Sequence, residues 1–283
     1  MAGMPAQLEE FSLEADDGLA LHTRRWLPAG TPRGCVLIVH GFAEHSGRYA
    51  HVAERLTALG FVVQAFDHRT HGRSDGEPRV YLPDLRRVSA DIARQARSAR
   101  EAAAGRPLFL YGHSLGSFFS LAALLRDPDG VSGFISSASP LDADTTVSPL
   151  LLRLADLLGA LWPRLPLVPV ELSAISRDPA VVKAYQDDPL VHAGRMRARM
   201  CSRLNGELRG LRARLAELRL PLLVLHGGAD RIAPESGSRR LFEGAGSSDK
   251  TLHIYPGLYH EVHNEPEQQQ VLGDVAAWLE ARS

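Results

Sequence analysis

The sequence predicts an α/β fold with a mostly parallel central sheet, helices on both faces and one inserted helical segment. Short apolar runs bounded by Gly, Pro and Asp alternate with longer runs of helical period, which is typical of a parallel sheet covered by helices. This alternation stops between about Leu141 and Leu218, where no strand can be placed and the chain becomes rich in Leu, Pro and Arg. With 283 residues, 45% of them hydrophobic, the chain can bury a substantial core.

Six of the apolar runs are predicted to be buried strands. They are Cys35–Val39, Val62–Phe66, Leu108–Tyr111, Phe134–Ser136, Leu222–Leu225 and Leu252–Tyr255. Between them, apolar residues recur at helical spacing, which predicts helices whose apolar face packs on the sheet. Three such sets are Tyr49, Val52, Ala53, Leu56 and Leu59; Leu85, Val88, Ile92 and Ala99; and Val271, Leu272, Val275, Trp278 and Leu279. We interpret these sets as core.

The interruption is interpreted as a helical cap at residues 141–217, inserted into a core formed by residues 1–140 and 218–283. Within the cap, Pro149–Val170 contains many Leu residues but also charged residues and prolines, which excludes a membrane-spanning helix. This segment is either the wall of an apolar pocket or an ordinary small helical core, and the sequence leaves both interpretations open.

Charge and cysteine content narrow the range of partners. The formal net charge is -1 and the basic residues are spread along the chain, so there is no basic patch for nucleic acid. Cys35 and Cys201 are too few and too far apart to indicate a disulfide framework, and no Cys or His cluster has metal-ligand spacing. We expect reduced thiols, no metal and no cofactor.

The sequence also predicts a cytoplasmic location. Met1–Glu10 has neither a basic start nor an apolar run, so it does not resemble a signal peptide. No stretch approaches the roughly 18 uncharged apolar residues of a membrane span. The Leu-rich stretch Pro149–Val170 predicts that the apolar face of the cap contacts a membrane or lipid-droplet surface.

The strongest chemical signal is the motif Gly112–Gly116, which reads Gly-His-Ser-Leu-Gly. It follows the predicted strand Leu108–Tyr111 and precedes a helical run, which is the strand-turn-helix context of a nucleophile elbow in the α/β-hydrolase fold. Glycines at the two ends of the motif allow the strained turn that exposes the serine hydroxyl. Ser114 is therefore the candidate nucleophile of a hydrolase that acts on carboxylic esters.

A nucleophilic serine needs a histidine base and a carboxylate that orients this base, in the chain order Ser, acid, His. His260 lies in a loop after the last predicted strand, and Asp230 follows the preceding strand. Both positions are at the strand ends where the site forms. The alternative for Asp230 is a turn or helix-cap residue. His226 and His253 are interpreted as core or strand-end histidines.

Acyl transfer also needs two backbone N–H groups that bind the developing oxyanion. The first is expected from Leu115, directly after the nucleophile, and the second from Phe42, after the strand Cys35–Val39. The neighbouring Gly41 allows close backbone approach. The chain lacks the His-Gly-Gly-Gly run of another esterase group.

The segment Asp67–Gly76 is dense in polar and turn residues. Asp67, His68 and His71 suggest a metal site by residue type alone, but no further acidic or cysteine residue has a matching spacing. We favour a hydrogen-bonded structural loop behind the site.

With these motifs, the chain resembles the monoacylglycerol lipase family of α/β-hydrolases over nearly its whole length. The resemblance depends on seven segments, which are His40–Tyr49, Asp67–Gly76, Gly112–Gly116, Ser176–Pro179, Asp188–Val191, His226–Asp230 and Tyr255–Glu265. It implies hydrolysis of a monoacylglycerol to glycerol and a fatty acid, with Ser114, Asp230 and His260 as the triad and Phe42 and Leu115 as the oxyanion donors. It also implies that the cap shields an acyl tunnel.

The same resemblance implies head-group contacts by Glu44, Arg48, Tyr185 and His263. From its position alone, one helical turn after His260, His263 either contacts substrate or faces solvent. The chain departs from the family pattern at Thr70 and Ser117, where glycine is common. Neither departure touches a triad member, so we expect an effect on acyl-chain preference rather than on activity.

Two groups of alternatives remain. A lysophospholipase or a broad carboxylesterase would use the same triad on a different substrate. A non-catalytic binding protein on the same fold is the remote alternative, since such proteins typically lose a triad member and this chain has all three.

Overall fold

The computed structural model describes residues 7–145, 147–169, 171–192 and 194–283. Met1–Ala6, the first part of the segment compared with a signal peptide, lies outside the described residues. So does Val170, the last residue of the Leu-rich segment, together with Thr146 and Ala193, which fall within the predicted cap.

Ten strands and eight α-helices make up the described part of the chain. The strands are β1 (Gln7–Glu14), β2 (Ala20–Leu27), β3 (Gly34–Val39), β4 (Phe61–Phe66), β5 (Leu108–His113), β6 (Gly133–Ser137), β7 (Pro166–Val168), β8 (Met196–Arg197), β9 (Leu222–Gly227) and β10 (Lys250–Tyr255). The helices are α1 (Ala50–Thr57), α2 (Leu85–Ala102), α3 (Leu115–Leu124), α4 (Pro149–Leu161), α5 (Pro179–Asp187), α6 (Ala198–Arg214), α7 (Glu235–Gly244) and α8 (Gln268–Glu280).

Eight of the strands form one sheet in the order β1-β2-β4-β3-β5-β6-β9-β10. The six strands from β4 to β10 in this order are parallel to one another, whereas β1 and β2 form an antiparallel hairpin, and β2 pairs antiparallel with β4. The predicted fold class, a mostly parallel sheet, is confirmed, and each of the six predicted strands is present. The β1–β2 hairpin was not predicted because β1 is a half-exposed edge strand without a continuous apolar run.

Helices cover both faces of this sheet because residues of each buried strand alternate between them. On β3, Cys35, Leu37 and Val39 belong to a cluster that includes buried residues of α2, α3 and α6. Val36 and Ile38 face the opposite cluster, which contains residues of α1 and α8. The predicted helical core sets lie in these two clusters, as expected from their spacing.

The segment between β6 and β9 contains α4, α5 and α6, and their starts are encoded locally. Ser148 and Asp178 accept hydrogen bonds from backbone N–H groups of the first turn of α4 and α5, and each precedes a proline that fits the first helical position. The expectation that no strand lies here is wrong. β7 and β8 pair antiparallel, but with three and two residues they are too short to show a strand period.

None of the helices in the described part of the chain combines the length and apolarity that spanning a membrane requires.

One buried ion pair ties the loop after β4 to helix α2. Arg69 donates from Nε and Nη2 to the two carboxylate oxygens of Asp91 at 2.7 and 2.8 Å, and the side chains are 7% and 2% exposed. Arg69 also donates to Asp17 at 2.9 Å. Such a pair contributes little net stability, but removal of Asp91 takes away the more buried of the two carboxylates that neutralise Arg69 and leaves this buried guanidinium with Asp17, whose side chain is 20% exposed.

We therefore expect Asp91→Ala to lower the free energy of unfolding by about 3 kcal/mol, measured by urea denaturation. The control is Lys183→Ala, which removes the ion pair with Asp187 on α5, where the side chains are 75% and 63% exposed. Exposed pairs of this kind contribute about 1 kcal/mol or less. Equal losses in the two variants would contradict the assigned role of the Arg69–Asp91 pair.

Candidate active site

Ser114 lies at a strained turn between β5 and α3. Its backbone has φ 52° and ψ -119°, in a region that residues with a side chain rarely adopt. Its N–H donates to the carbonyl of Ser137 on β6 at 2.8 Å, which ties the turn to the neighbouring strand. The structure therefore stabilises a conformation that an isolated chain would avoid.

The two glycines of the motif are required by space. A Cβ at Gly116 would lie 2.0 Å from the carbonyl oxygen of Val39, and one at Gly112 would lie 2.6 Å from the Cα of Ser117. Both neighbours are backbone atoms that cannot move aside. The elbow thus packs directly against the end of β3, next to the loop that carries Phe42.

Asp230 and His260 lie on the loops that follow β9 and β10. Nδ1 of His260 is 2.7 Å from Oδ2 of Asp230, so the carboxylate orients the imidazole. The other carboxylate oxygen accepts hydrogen bonds from the N–H groups of Ile232 and Ala233 at 2.7 and 3.0 Å. His260 and Ser114 line the same cavity. The structure therefore brings together the three residues that the sequence proposed as a triad.

A second histidine, which the sequence analysis treated as a core residue, also contacts Asp230. Nε2 of His226 is 3.2 Å from Oδ2 of Asp230, and Nδ1 is 2.7 Å from the hydroxyl of Ser238. His226 is fully buried at the end of β9. Its four-residue distance from Asp230 was the signal that would have indicated this contact.

The protonation of the pair follows from these contacts. Burial opposes charge on Asp230, but the charge of His260 and the hydrogen bonds from His226 and His260 together lower its pKa below the ordinary value. Burial likewise opposes charge on His260, but the Asp230 carboxylate raises its pKa above the ordinary 6.5. The carboxylate therefore stays ionised and favours the imidazolium form that a proton-accepting base passes through.

The predicted oxyanion donors lie beside Ser114. Phe42 and Leu115 both line the cavity. Leu115 is the first residue of α3, so its N–H has no acceptor within the helix and is free to bind an anion. A Cβ at Gly41 would lie 3.4 Å from Cβ of Ser114 and 2.8 Å from Oε1 of Glu44, so this backbone passes directly between the two side chains.

Glu44, Arg48 and Glu261 connect the loop after β3 with the loop that carries His260. We call these three charged side chains the Arg48 bridge. Arg48 donates to Glu44 at 2.7 Å and, through both terminal nitrogens, to Glu261 at 2.6 and 2.7 Å. The other oxygen of Glu44 accepts from the N–H of Gly41 at 2.6 Å. Because Gly41 precedes Phe42 and Glu261 follows His260, the bridge couples the positions of the two loops.

The pKa values of the two carboxylates of the bridge are shifted in opposite directions. Burial raises the pKa of Glu44, even though Arg48 lies beside it. Burial also opposes charge on Glu261, but the paired guanidinium of Arg48 lowers its pKa to about 2. Glu261 was not singled out from the sequence, although its position next to His260 was a signal.

Only two of the four residues implied as head-group contacts line the cavity. Glu44 and Tyr185 line the cavity, whereas Arg48 and His263 are not among its lining residues. Arg48 lies over the Tyr185 ring, 4.5 Å from its centroid.

Of the two expectations for His263, the alternative that it faces solvent is wrong. The side chain is fully buried, and neither ring nitrogen has a hydrogen-bond partner within the described part of the chain. Its ring stacks on Tyr49 and lies edge-on to His113, because the short helical turn that carries it packs into the core. A head-group role for His263 remains a prediction that this arrangement does not favour.

The Asp67–Gly76 segment forms a hydrogen-bonded loop that contacts His40, the residue directly after β3. Asp67 accepts from the N–H groups of Ser46 and Arg73 at 2.8 and 2.7 Å, and the N–H of His68 donates to the His40 ring at 2.9 Å. Among the described residues, no group of three or more His, Cys, Asp or Glu side chains is arranged to hold a metal ion.

The two departures from the family pattern are explained locally. Thr70 has φ 65°, which is a conformation that glycine adopts freely, and its hydroxyl accepts a hydrogen bond from the N–H of Tyr81 at 2.9 Å. The hydroxyl of Ser117 is 2.6 Å from that of Ser136 beneath the elbow.

A cavity of about 1080 Å³ opens onto Ser114 and His260. Its walls are mostly apolar, and they come from both the core and the segment between β6 and β9. The residues contributed by α4 and α6 include Leu151, Leu154, Leu158, Cys201, Leu204 and Leu208. Burial raises the pKa of the Cys201 thiol to about 11, so this side chain is an unreactive apolar wall.

Comparison with known proteins places this site in a family. The family described as serine aminopeptidase, S33, matches residues 30–267. A monoacylglycerol lipase of Mycolicibacterium smegmatis is 43% identical over 270 residues, which cover 95% of this chain and 96% of that protein. Monoglyceride lipase of Homo sapiens is 34% identical over 274 residues, which cover 94% of this chain and 89% of that protein.

The architecture agrees with this relationship. The crystal structure of Paleococcus ferrophilus monoacylglycerol lipase matches with a TM-score of 0.79 and 31% identity, over 99% of this chain and 100% of that chain. The resemblance inferred from the motifs is therefore confirmed over nearly the whole length. The chain belongs to the serine aminopeptidase S33 family and, within it, to the monoacylglycerol lipases of the α/β-hydrolase fold.

Proposed function

We propose that this protein is a serine hydrolase that cleaves monoacylglycerols to glycerol and a free fatty acid. The observation that carries the proposal is that Ser114 and the His260–Asp230 pair open together onto a large, mostly apolar cavity. Such a cavity suits a long acyl chain, and the 43% identical relative is a monoacylglycerol lipase.

The reaction proceeds in two steps. The Ser114 hydroxyl attacks the ester carbonyl while His260 accepts its proton, and the N–H groups of Phe42 and Leu115 bind the oxyanion. The tetrahedral intermediate expels glycerol, which takes the proton from His260, and leaves the acyl group on Ser114. Water, deprotonated by His260, then attacks the acyl-enzyme and releases the fatty acid and free Ser114.

The charges of the Arg48 bridge favour a substrate with an uncharged head group. Two carboxylates, Glu44 and Glu261, line the cavity, and the single cation between them is already paired with both. Carboxylates accept hydrogen bonds from hydroxyl groups and repel phosphate. With Tyr185 beside them, they suit glycerol better than an anionic phosphodiester, which disfavours an anionic lysophospholipid as the substrate.

We propose that residues 141–217 act as a cap over this cavity. Residues of α4 and α6 form its apolar wall, so this segment separates the acyl chain from water. Of the two interpretations left open by the sequence, the pocket wall is the one that these contacts support, and residues 1–140 and 218–283 then form the catalytic core.

We further propose that α4 rests on a lipid surface. The face of α4 that turns away from the cavity exposes Leu150, Leu157 and Leu161, with Leu150 75% exposed, and Trp162, directly after the helix, is exposed as well. A large exposed apolar patch is costly in water and marks an interaction surface. Because the substrate itself is held in lipid aggregates, contact at α4 would bring the cavity to its source.

The first prediction concerns substrate and nucleophile. Fatty-acid release from a long-chain monoacylglycerol should exceed release from a diacylglycerol and from a lysophospholipid. Ser114→Ala should reduce it by at least about 10⁴-fold, since the covalent intermediate cannot form. Ser117→Ala, which changes a serine beneath the elbow, is the control and should still react with a fluorophosphonate probe.

Each of the other possible outcomes would contradict a specific part of the proposal. Preferred cleavage of the lysophospholipid would overturn the head-group assignment, and preferred cleavage of small esters would indicate a broad carboxylesterase. No cleavage and no probe labelling would indicate a non-catalytic binding protein.

The second prediction concerns pH. His260 must be neutral to accept a proton, and its pKa lies above 6.5, so kcat/KM should be full at alkaline pH and should begin to fall with decreasing pH already above 6.5. Glu261 is among the charges that raise this pKa. Glu261→Gln should therefore move the acid limb of the profile to lower pH.

Glu171→Gln is the matched control for this measurement. Glu171 also lines the cavity, but its carboxylate pairs with Arg231 at 3.1 Å, away from the Arg48 bridge. Glu171→Gln should therefore leave the acid limb of the kcat/KM profile in place. An unmoved limb in Glu261→Gln, or a shift to higher pH, would contradict the proposed electrostatic effect of Glu261.

The third prediction concerns the lipid surface. Combined Leu150→Ser, Leu157→Ser and Trp162→Ser should weaken sedimentation with phosphatidylcholine vesicles by about tenfold or more, because burial of each large apolar side chain contributes about 1.5 to 3 kcal/mol. Hydrolysis of a dispersed short-chain ester should be unchanged, because these residues do not line the cavity. Leu8→Ser removes an exposed leucine of β1 and serves as the control. If the wild type sediments with neither neutral nor anionic vesicles, the docking proposal is wrong.

A further inference from the structure

One polar side chain stands out in the apolar wall of the cavity. Asn205 lies on α6 and lines the cavity together with Cys201, Leu204 and Leu208 of the same helix. Leu204 and Asn205 each lie three or four positions from both Cys201 and Leu208, so the four residues share one helix face. The facing wall is formed by leucines of α4, so Asn205 interrupts a surface suited to hydrocarbon.

The charged residues of the same cavity wall are each paired. Glu44 and Glu261 bind Arg48, Asp144 binds Arg212, and Glu171 binds Arg231. Within the described ranges, the Asn205 amide makes no hydrogen bond or ion pair. The side chain is only partly buried, so water can reach the amide in the open cavity, but an acyl chain that displaces this water leaves the amide without a partner unless the chain carries an oxygen.

The local structure does not explain the amide at this position. Asn205 lies in the interior of α6, where an amide cannot cap either helix end, and asparagine is a poor helix former compared with leucine. A leucine here would favour both the helix and the apolar wall. The side chain is partly buried and borders the cavity rather than lying on the fully exposed face.

We propose that Asn205 is a hydrogen-bonding site for an oxygen atom carried on the acyl chain of the substrate. The substrate class then includes monoacylglycerols whose acyl chain bears a hydroxyl or keto group. The proposal rests on the function proposed above, because it takes the cavity between α4 and α6 to be the acyl site. The amide both donates and accepts hydrogen bonds, so it pairs with a hydroxyl in either sense and donates to a ketone.

The test compares monoacylglycerols of one chain length that carry a methylene, a hydroxyl or a ketone at the same carbon, in a series that moves this carbon along the chain. For wild type, kcat/KM of the hydroxyl and keto esters relative to the plain ester should peak at one carbon, which marks the position of Asn205. At that carbon, Asn205→Leu should reduce the relative kcat/KM by about five- to tenfold, the equivalent of one hydrogen bond. Hydrolysis of the plain ester should be equal to or faster than in wild type.

Two further variants separate the hydrogen bond from a change in shape. Asn205→Asp, when ionised, accepts from a hydroxyl but cannot donate, so it should keep the preference for the hydroxyl ester and lose that for the keto ester. Arg209→Leu makes a comparable polar-to-leucine change one turn further along α6, at an exposed position that does not line the cavity, and should leave both preferences unchanged.

The outcomes distinguish this proposal from the proposed function. If the plain monoacylglycerol is cleaved but Asn205→Leu leaves the relative kcat/KM unchanged at every carbon, the amide only holds water and the proposal is wrong. If no monoacylglycerol is cleaved by the wild type, the proposed function fails instead. Binding of the free hydroxy and plain fatty acids to Ser114→Ala gives the same comparison without turnover, and an equal affinity for the two would also overturn the proposal.

Discussion

The site depends on one close backbone contact, that of Gly116 at the start of α3 with the end of β3. A Cβ at Gly116 would lie 2.0 Å from the carbonyl oxygen of Val39, so the helix can approach only because the residue has no side chain. This approach sets the position of Leu115 relative to the loop that follows β3, which carries Phe42. The strained backbone of Ser114 is the consequence, and the hydrogen bond to Ser137 on β6 helps to maintain it.

The Arg48 bridge extends this constraint to the histidine. Glu44 accepts from the backbone of Gly41, and Arg48 joins Glu44 to Glu261, so the oxyanion loop and the histidine loop are held by one buried network. A buried network of this kind contributes to geometry more than to net stability, because the cost of desolvating the three charges offsets much of their attraction. Its two carboxylates also favour the imidazolium form of His260, and in the proposed function they favour a neutral alcohol as the leaving group.

The cavity is lined both by residues of the core and by residues of the segment between β6 and β9. In the proposed function, the core provides the reacting groups at one end, and α4 and α6 provide an apolar wall that contains the polar side chain of Asn205. The leucines of α4 lie on both sides of the helix, some towards the cavity and others towards the surroundings. In the proposed function, the same helix contacts both the acyl chain and a lipid surface.

The sequence by itself determined the parallel strands, the elbow and the chain order of Ser114, Asp230 and His260, because apolar periodicity and glycine spacing are local properties of the chain. It did not indicate the β1–β2 hairpin or the short β7–β8 pair, whose strands are too exposed or too short for a clear period. Only the tertiary structure decided that Arg48 pairs with Glu261, 213 residues away, and that His263 is buried against Tyr49. Such contacts join loops at the ends of different strands, and their partners are set by sheet order and packing rather than by any local pattern of residues.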